Sequence, residues 1–65
     1  MITYAVEYRH RGYNDSWTLE YECDDLTDAI EHAARECVNN PRMQHRIVKV
    51  HAVEQVMFLP SIEDY

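Results

Sequence analysis

The side chains that could carry chemistry in this chain are carboxylates, four histidines and two cysteines, and their spacing limits what they can do. Glu20 and Glu22 stand two apart, which on a strand puts both on one face. A carboxylate pair does general acid–base work when a pocket raises the pKa of one member. Here the pair is expected on an open sheet face, with Glu7 alongside across a hairpin, and reads as a solvated anionic surface. His10, His32, His45, His51, Cys23 and Cys37 form no Cys-x-x-Cys and no His-Glu-x-x-His, so no metal site is expected. On a helix, His32 would point to the polar side and Cys37 inward. Ser16 and Ser61 fall in a loop and a tail, away from a base that could activate a hydroxyl. One glycine cannot build a phosphate-cradling loop. No catalytic residue, cofactor or metal ligand is expected, and the residue pattern does not meet the geometric demands of an enzyme site.

The elements that would position these groups are legible from hydrophobic periodicity. Ile2, Tyr4, Val6 and Tyr8 alternate with Thr3, Ala5, Glu7 and Arg9, which predicts a strand with one apolar face. Trp17, Leu19, Tyr21 and Cys23 alternate with Thr18, Glu20 and Glu22 in the same way. Residues 11–16 between them hold the only glycine and an Asn-Asp pair, which predicts a hairpin loop. The period then changes: Leu26, Ala29, Ile30, Ala33, Ala34, Cys37 and Val38 follow an amphipathic helix. Asp25 suits its N-cap, with Asp28 in a capping-box-like place and Glu31 able to pair with Arg35. Asn39, Asn40 and Pro41 end it. Residues 46–53 are rich in β-branched side chains and predict a third strand, with Val48, Val50 and Ala52 facing the helix and Ile47, Lys49, His51 and Val53 facing away. Val56, Met57, Phe58 and Leu59 extend that strand or form a short fourth one.

The expected fold class is therefore α+β. It is a single small β-β-α-β domain over residues 1–59, with an antiparallel sheet of three or four strands in the order 2-1-3. One helix crosses one face, and residues 60–65 form an acidic C-terminal tail. At 65 residues the domain buries only about 60% of its unfolded surface, which leaves little room for an enclosed pocket. Two cysteines are too few for a disulfide framework and read as buried, reduced residues. No apolar stretch is long enough to span a bilayer, and the first residues lack the features of a signal peptide, so a cytoplasmic location is expected.

The net charge of −6 is unevenly placed. From Asp15 to Glu31 the chain holds seven acids and no base. Direct binding to nucleic-acid phosphates or to an anionic membrane is disfavoured, and a basic macromolecular surface is favoured. Glu20, Glu22, Asp24, Asp25, Asp28 and Glu31 are the expected partner-binding residues. The aromatic set Tyr4, Tyr8, Trp17 and Tyr21 is expected under the helix as core, not as a stacking platform for bases. The apolar run Val56, Met57, Phe58 and Leu59 exceeds what a small core absorbs and is a candidate homodimer patch.

The segment 24–33, Asp-Asp-Leu-Thr-Asp-Ala-Ile-Glu-His-Ala, sits between a hairpin and the strand Arg46-Ile47-Val48-Lys49-Val50-His51. In this arrangement it resembles small phage host-takeover inhibitors, such as the β-β-α-β RNA polymerase inhibitor of T7-like phages. In size and charge the chain is also similar to anti-CRISPR proteins. The resemblance covers residues 4–54 and lies in hydrophobic spacing. It implies that acids near the hairpin and bases on the last strand contact a host complex. The matching strand positions are Lys49 and His51, the second a histidine where that family has a base. The implied function is an inhibitor that covers a basic surface of a host nucleic-acid-handling complex in a bacterial cytoplasm. The alternative is a self-associating structural module.

Overall fold

The antiparallel hairpin that alternation predicts forms from β1 (Tyr4–His10) and β2 (Thr18–Cys23). The structure, a computed structural model, describes residues 2–12, 16–52 and 54–62. The expected turn residues Tyr13 and Asn14, the first acid of the run (Asp15), Val53, and residues 63–65 lie outside the described residues. The chain continues through α1 (Leu26–Asn39), β3 (Met43–Lys49) and β4 (Glu54–Leu59). The four strands form one antiparallel sheet in the order β2-β1-β3-β4. The α+β class, the 2-1-3 order and the helix across one face are as the sequence implies. The apolar run after Val53 forms a strand of its own.

Helix α1 begins where Asp25, in extended backbone, accepts a hydrogen bond from Thr27 N at 3.0 Å. This satisfies one of the orphan amides of the first turn. Asp25→Ala is expected to cost about 1 kcal/mol, seen as a lower urea midpoint at unchanged slope. An unmoved midpoint would show that the cap contributes nothing. Asp28 does not complete a capping box with the Asp25 backbone; its Oδ2 accepts the Tyr21 hydroxyl at 2.6 Å. The helix closes on Asn40, whose N–H donates to Glu36 O at 2.8 Å and whose side chain donates to Glu36 Oε2 at 2.9 Å. Asn40 is at φ −131°, so the stop uses hydrogen bonds and the following Pro41, not a left-handed residue.

The buried stripe of α1 is Ala29, Ala33 and Cys37. These small side chains let the helix lie close on Val6 and Ile47, with Tyr4, Tyr21, Cys23, Leu26, Ile30, Val56 and Leu59 packed around them. Ala34 and Val38, expected on the apolar face, are both exposed, Val38 by 69%. The phase of β3 is also opposite to the expected one. Ile47 and His45 are fully buried against the helix, and Val48 faces the other side. The strand begins three residues earlier than expected, at Met43, and ends at Lys49; Val50, His51 and Ala52 form a turn. Val50 N–H still donates to Thr3 O at 2.9 Å, which extends the pairing of β1 and β3.

Two register shifts re-aim side chains. In β2 the partners run Val6 to Tyr21 and then Glu7 to Leu19, so Glu20 is the extra residue of a bulge. In β4, Val56 is left over in the same way and turns into the core. Beyond Leu59 the chain remains tied down: Ser61 is fully buried and its hydroxyl donates to Pro41 O.

Candidate interaction surface

The bulge at Glu20 inverts the first half of β2. Tyr21 and Cys23 keep the helix side, as alternation predicts. Leu19 and Trp17 move to the helix-free face, and Glu20 turns toward the helix. Two different arrangements result, one on each side of the sheet.

On the helix-free face, Trp17 is the centre of a cation–aromatic cluster. The guanidinium carbons of Arg9 and Arg46 lie 4.4 and 4.6 Å from its ring centroid. Phe58 of β4 meets it edge-to-face at 6.3 Å. Both arginines are oriented by strand neighbours. Arg46 Nε donates to Glu7 Oε1 at 2.7 Å, and Arg9 Nε donates to Gln44 Oε1 at 2.9 Å. Holding the guanidiniums lowers the rotamer entropy lost when either makes a further contact. Beside this cluster a shallow depression of about 270 Å³ is lined by Ala5, Glu7, Leu19, Glu22, Arg46 and Val48, among others. Leu19 is 54% and Phe58 41% exposed. The expectation that Trp17 belongs to the core under the helix is therefore corrected, because one extra residue in β2 reverses its face.

On the helix side, Glu20 Oε1 lies 3.3 Å from His32 Nε2 and 3.5 Å from His45 Nε2. These three atoms are out of solvent, and none has a well-aligned hydrogen-bond partner. His45 Nδ1 is 3.5 Å from Cys37 Sγ, and His32 Nδ1 is 3.5 Å from Arg35 Nη2. The His32 ring stacks on Tyr21 at 4.2 Å with an interplanar angle of 5°. Burial lowers the pKa of His45; Glu20 and Glu36 pull the other way without cancelling it. Burial, with the Glu20 charge, pushes the Cys37 thiol up, which keeps it protonated. The Tyr21 phenol is raised, first by its hydrogen bond to Asp28 and then by burial. Among the described residues, no group of three or more His, Cys, Asp or Glu side chains is placed to hold a metal ion.

The expected partner-binding residues do not form one surface. Glu20 faces inward and Glu22 lies on the helix-free face. Asp24 and Asp25 stay exposed at the start of the helix, Glu31 is exposed farther along it, and Asp28 is half-buried against Tyr21. Lys49 Nζ is 4.0 Å from Glu54 Oε2, and His51 is exposed in the turn after β3. Met57 and Phe58 of the expected dimer patch are exposed, whereas Val56 and Leu59 pack on the core. Sequence reasoning missed Arg9, Arg46, Trp17 and Phe58 as a cluster. The alternation of Glu7, Arg9 and of Gln44, Arg46 was a usable signal for the strands involved. The bulge that adds Trp17 to them has no signature in glycine or proline.

No helix among the described residues is long and apolar enough to cross a membrane. Comparison of the chain with protein-family models, with curated proteins and with solved structures gives no match.

Proposed function

We propose that this chain is a binding protein that covers a basic surface of a protein or ribonucleoprotein partner and acts as an inhibitor, in the manner of phage host-takeover proteins. The observation that carries the binding reading is the Trp17 cluster on the helix-free sheet face. Tryptophan, phenylalanine and oriented arginine at the centre of a half-exposed patch are the residue types that dominate interface energetics. The net charge of −6 supports the choice of a basic partner, because it steers a cationic surface toward the protein and repels nucleic acid and anionic lipid. The exposed carboxylates Glu22 on the sheet and Asp24, Asp25 and Glu31 at and along the helix contribute to that field, so the contact and the steering come from different residues.

The test is affinity capture from bacterial lysate with three baits: the wild type, Trp17→Ala, and the triple variant D24N/D25N/E31Q. A central aromatic anchor is worth about 2 kcal/mol or more, so W17A is expected to recover its partner at least about tenfold less well. The triple variant is expected to retain the partner but to lose part of the salt dependence of capture. A partner recovered equally by W17A and the wild type would remove the sheet face from the interaction. Far-UV circular dichroism on each bait separates loss of binding from loss of fold.

A further inference from the structure

The buried cluster on the helix side ties the bulge of β2 to both α1 and β3, and its donors run in one direction. Arg35 is always a donor and faces His32 Nδ1, so that nitrogen serves as the acceptor and Nε2 carries the hydrogen toward Glu20. The protonated Cys37 thiol faces His45 Nδ1, which again leaves Nε2–H toward Glu20. His32 Nε2 of α1 and His45 Nε2 of β3 thus both face the Glu20 carboxylate, at 3.3 and 3.5 Å, without the alignment of a full hydrogen bond.

The arrangement has no good place for another proton. On His32 it would have to sit on Nδ1, against the Arg35 guanidinium. On His45 it would sit on Nδ1, where the Cys37 sulfur is only a weak acceptor. On Glu20 it would remove the charge that both N–H groups point to. The remaining neighbours ease this only in part. Tyr8 of β1 lies 6.4 Å from the His45 ring, Tyr21 of β2 is engaged with Asp28, and β4 places Leu59 opposite His45. Glu36 on α1 is the other carboxylate whose charge acts on His45.

We infer that the Glu20–His32–His45 cluster is an acid-labile latch: proton uptake breaks it, frees the first half of β2 from the helix, and dismantles the Trp17 surface. β2 is an edge strand, held by β1 on one side only, and Trp17 directly precedes it. The Glu20 bulge is therefore the point where the two sides of the sheet are coupled. The sign is fixed by the buried histidine. An unfolded histidine takes its proton near pH 6.5, whereas burial makes folded His45 resist it. The latch contributes fully above about pH 6.5 and is lost as the pH falls below that value. The latch itself is independent of the proposed partner; its control of binding rests on that reading.

The test follows Trp17, the only tryptophan, by fluorescence from about pH 7.5 to 5, with far-UV circular dichroism and histidine NMR shifts on the same samples. The wild type is expected to change Trp17 emission in a cooperative step below about pH 6.5 while most helical signal remains. H45Q and, separately, H32Q are expected to abolish that step or move it by at least about one pH unit, whereas H51Q in the exposed turn leaves it unchanged. A flat wild-type profile overturns the latch, as does a step that survives unmoved in both H45Q and H32Q. Capture of the partner at the two ends of the range then reports the second link. A working latch with unchanged capture would refute its control of binding and leave the latch standing.

Discussion

Ile47→Ala is expected to remove about 2–5 kcal/mol of stability, enough to leave much of a domain this small unfolded at room temperature. Ile47 is fully buried at the centre of the sheet and packs on Val6 and the alanine stripe of α1. Truncation to alanine loses the transfer energy of the removed carbons and leaves a cavity that a sheet pinned by β1 and β4 on either side cannot collapse. Val48 is the internal control. It lies one residue along, on the helix-free face and half-buried, so V48A is expected to cost about 1 kcal/mol. The comparison is made by urea denaturation followed by circular dichroism. Equal losses, or a larger loss in V48A, would mean that β3 presents the other face to the helix.

The contrast between these neighbours shows where the sequence is informative and where it is not. In the run Ile47-Val48-Lys49-Val50 both parities carry β-branched residues, so alternation alone does not choose a face. Val48, Val50 and Ala52 form one apolar stripe only in a strand that reaches residue 53. It ends at Lys49, and no glycine or proline marks the turn that follows. His45 compounds the ambiguity, because a histidine on the correct core stripe looks like a polar interruption. Hydrophobic contacts of β1 and the 3.6-residue period of α1 face no such competition, and those elements were legible nearly to the residue. Antiparallel order follows from the short hairpin and the helical crossover.

The candidate site was less legible for one reason, the bulge. Glu20, Glu22, Asp24, Asp25 and Asp28 are all visible as an acidic run, and strict alternation puts Glu20 beside Glu22 and Trp17 beside Tyr21. A single extra residue exchanges the faces of Glu20 and Leu19 and carries Trp17 over with them. The outcome is set by what each face can satisfy. Glu20 faces two imidazoles on the helix side, and Trp17 meets two guanidiniums on the other. Those partners come from β1, β3 and α1, outside the strand itself. A local pattern cannot register them, and cross-sheet chemistry decides the register instead.

The same dependence on close approach governs the second large effect, Ala33→Leu. Ala33 is fully buried where α1 crosses the sheet, in line with Ala29 and Cys37. Small residues at three successive turns set the distance between helix and strands. Three added carbons would crowd Val6, Ile47 and the partly buried Ile30 and Tyr21. The helix must lift or the neighbours must leave their rotamers, and about 3 kcal/mol is the expected cost. The displacement would also stretch the contacts from His32 and Cys37 into the Glu20 cluster, since all three side chains sit on the same helix or face it. Ala34→Leu adds the same carbons on the exposed side of the next residue and is expected to change stability by less than about 0.5 kcal/mol. Thermal unfolding of the pair separates helix propensity from packing, because both substitutions exchange alanine for leucine in mid-helix. A33L melting within a degree or two of A34L would show that the helix does not rest on the sheet at Ala33.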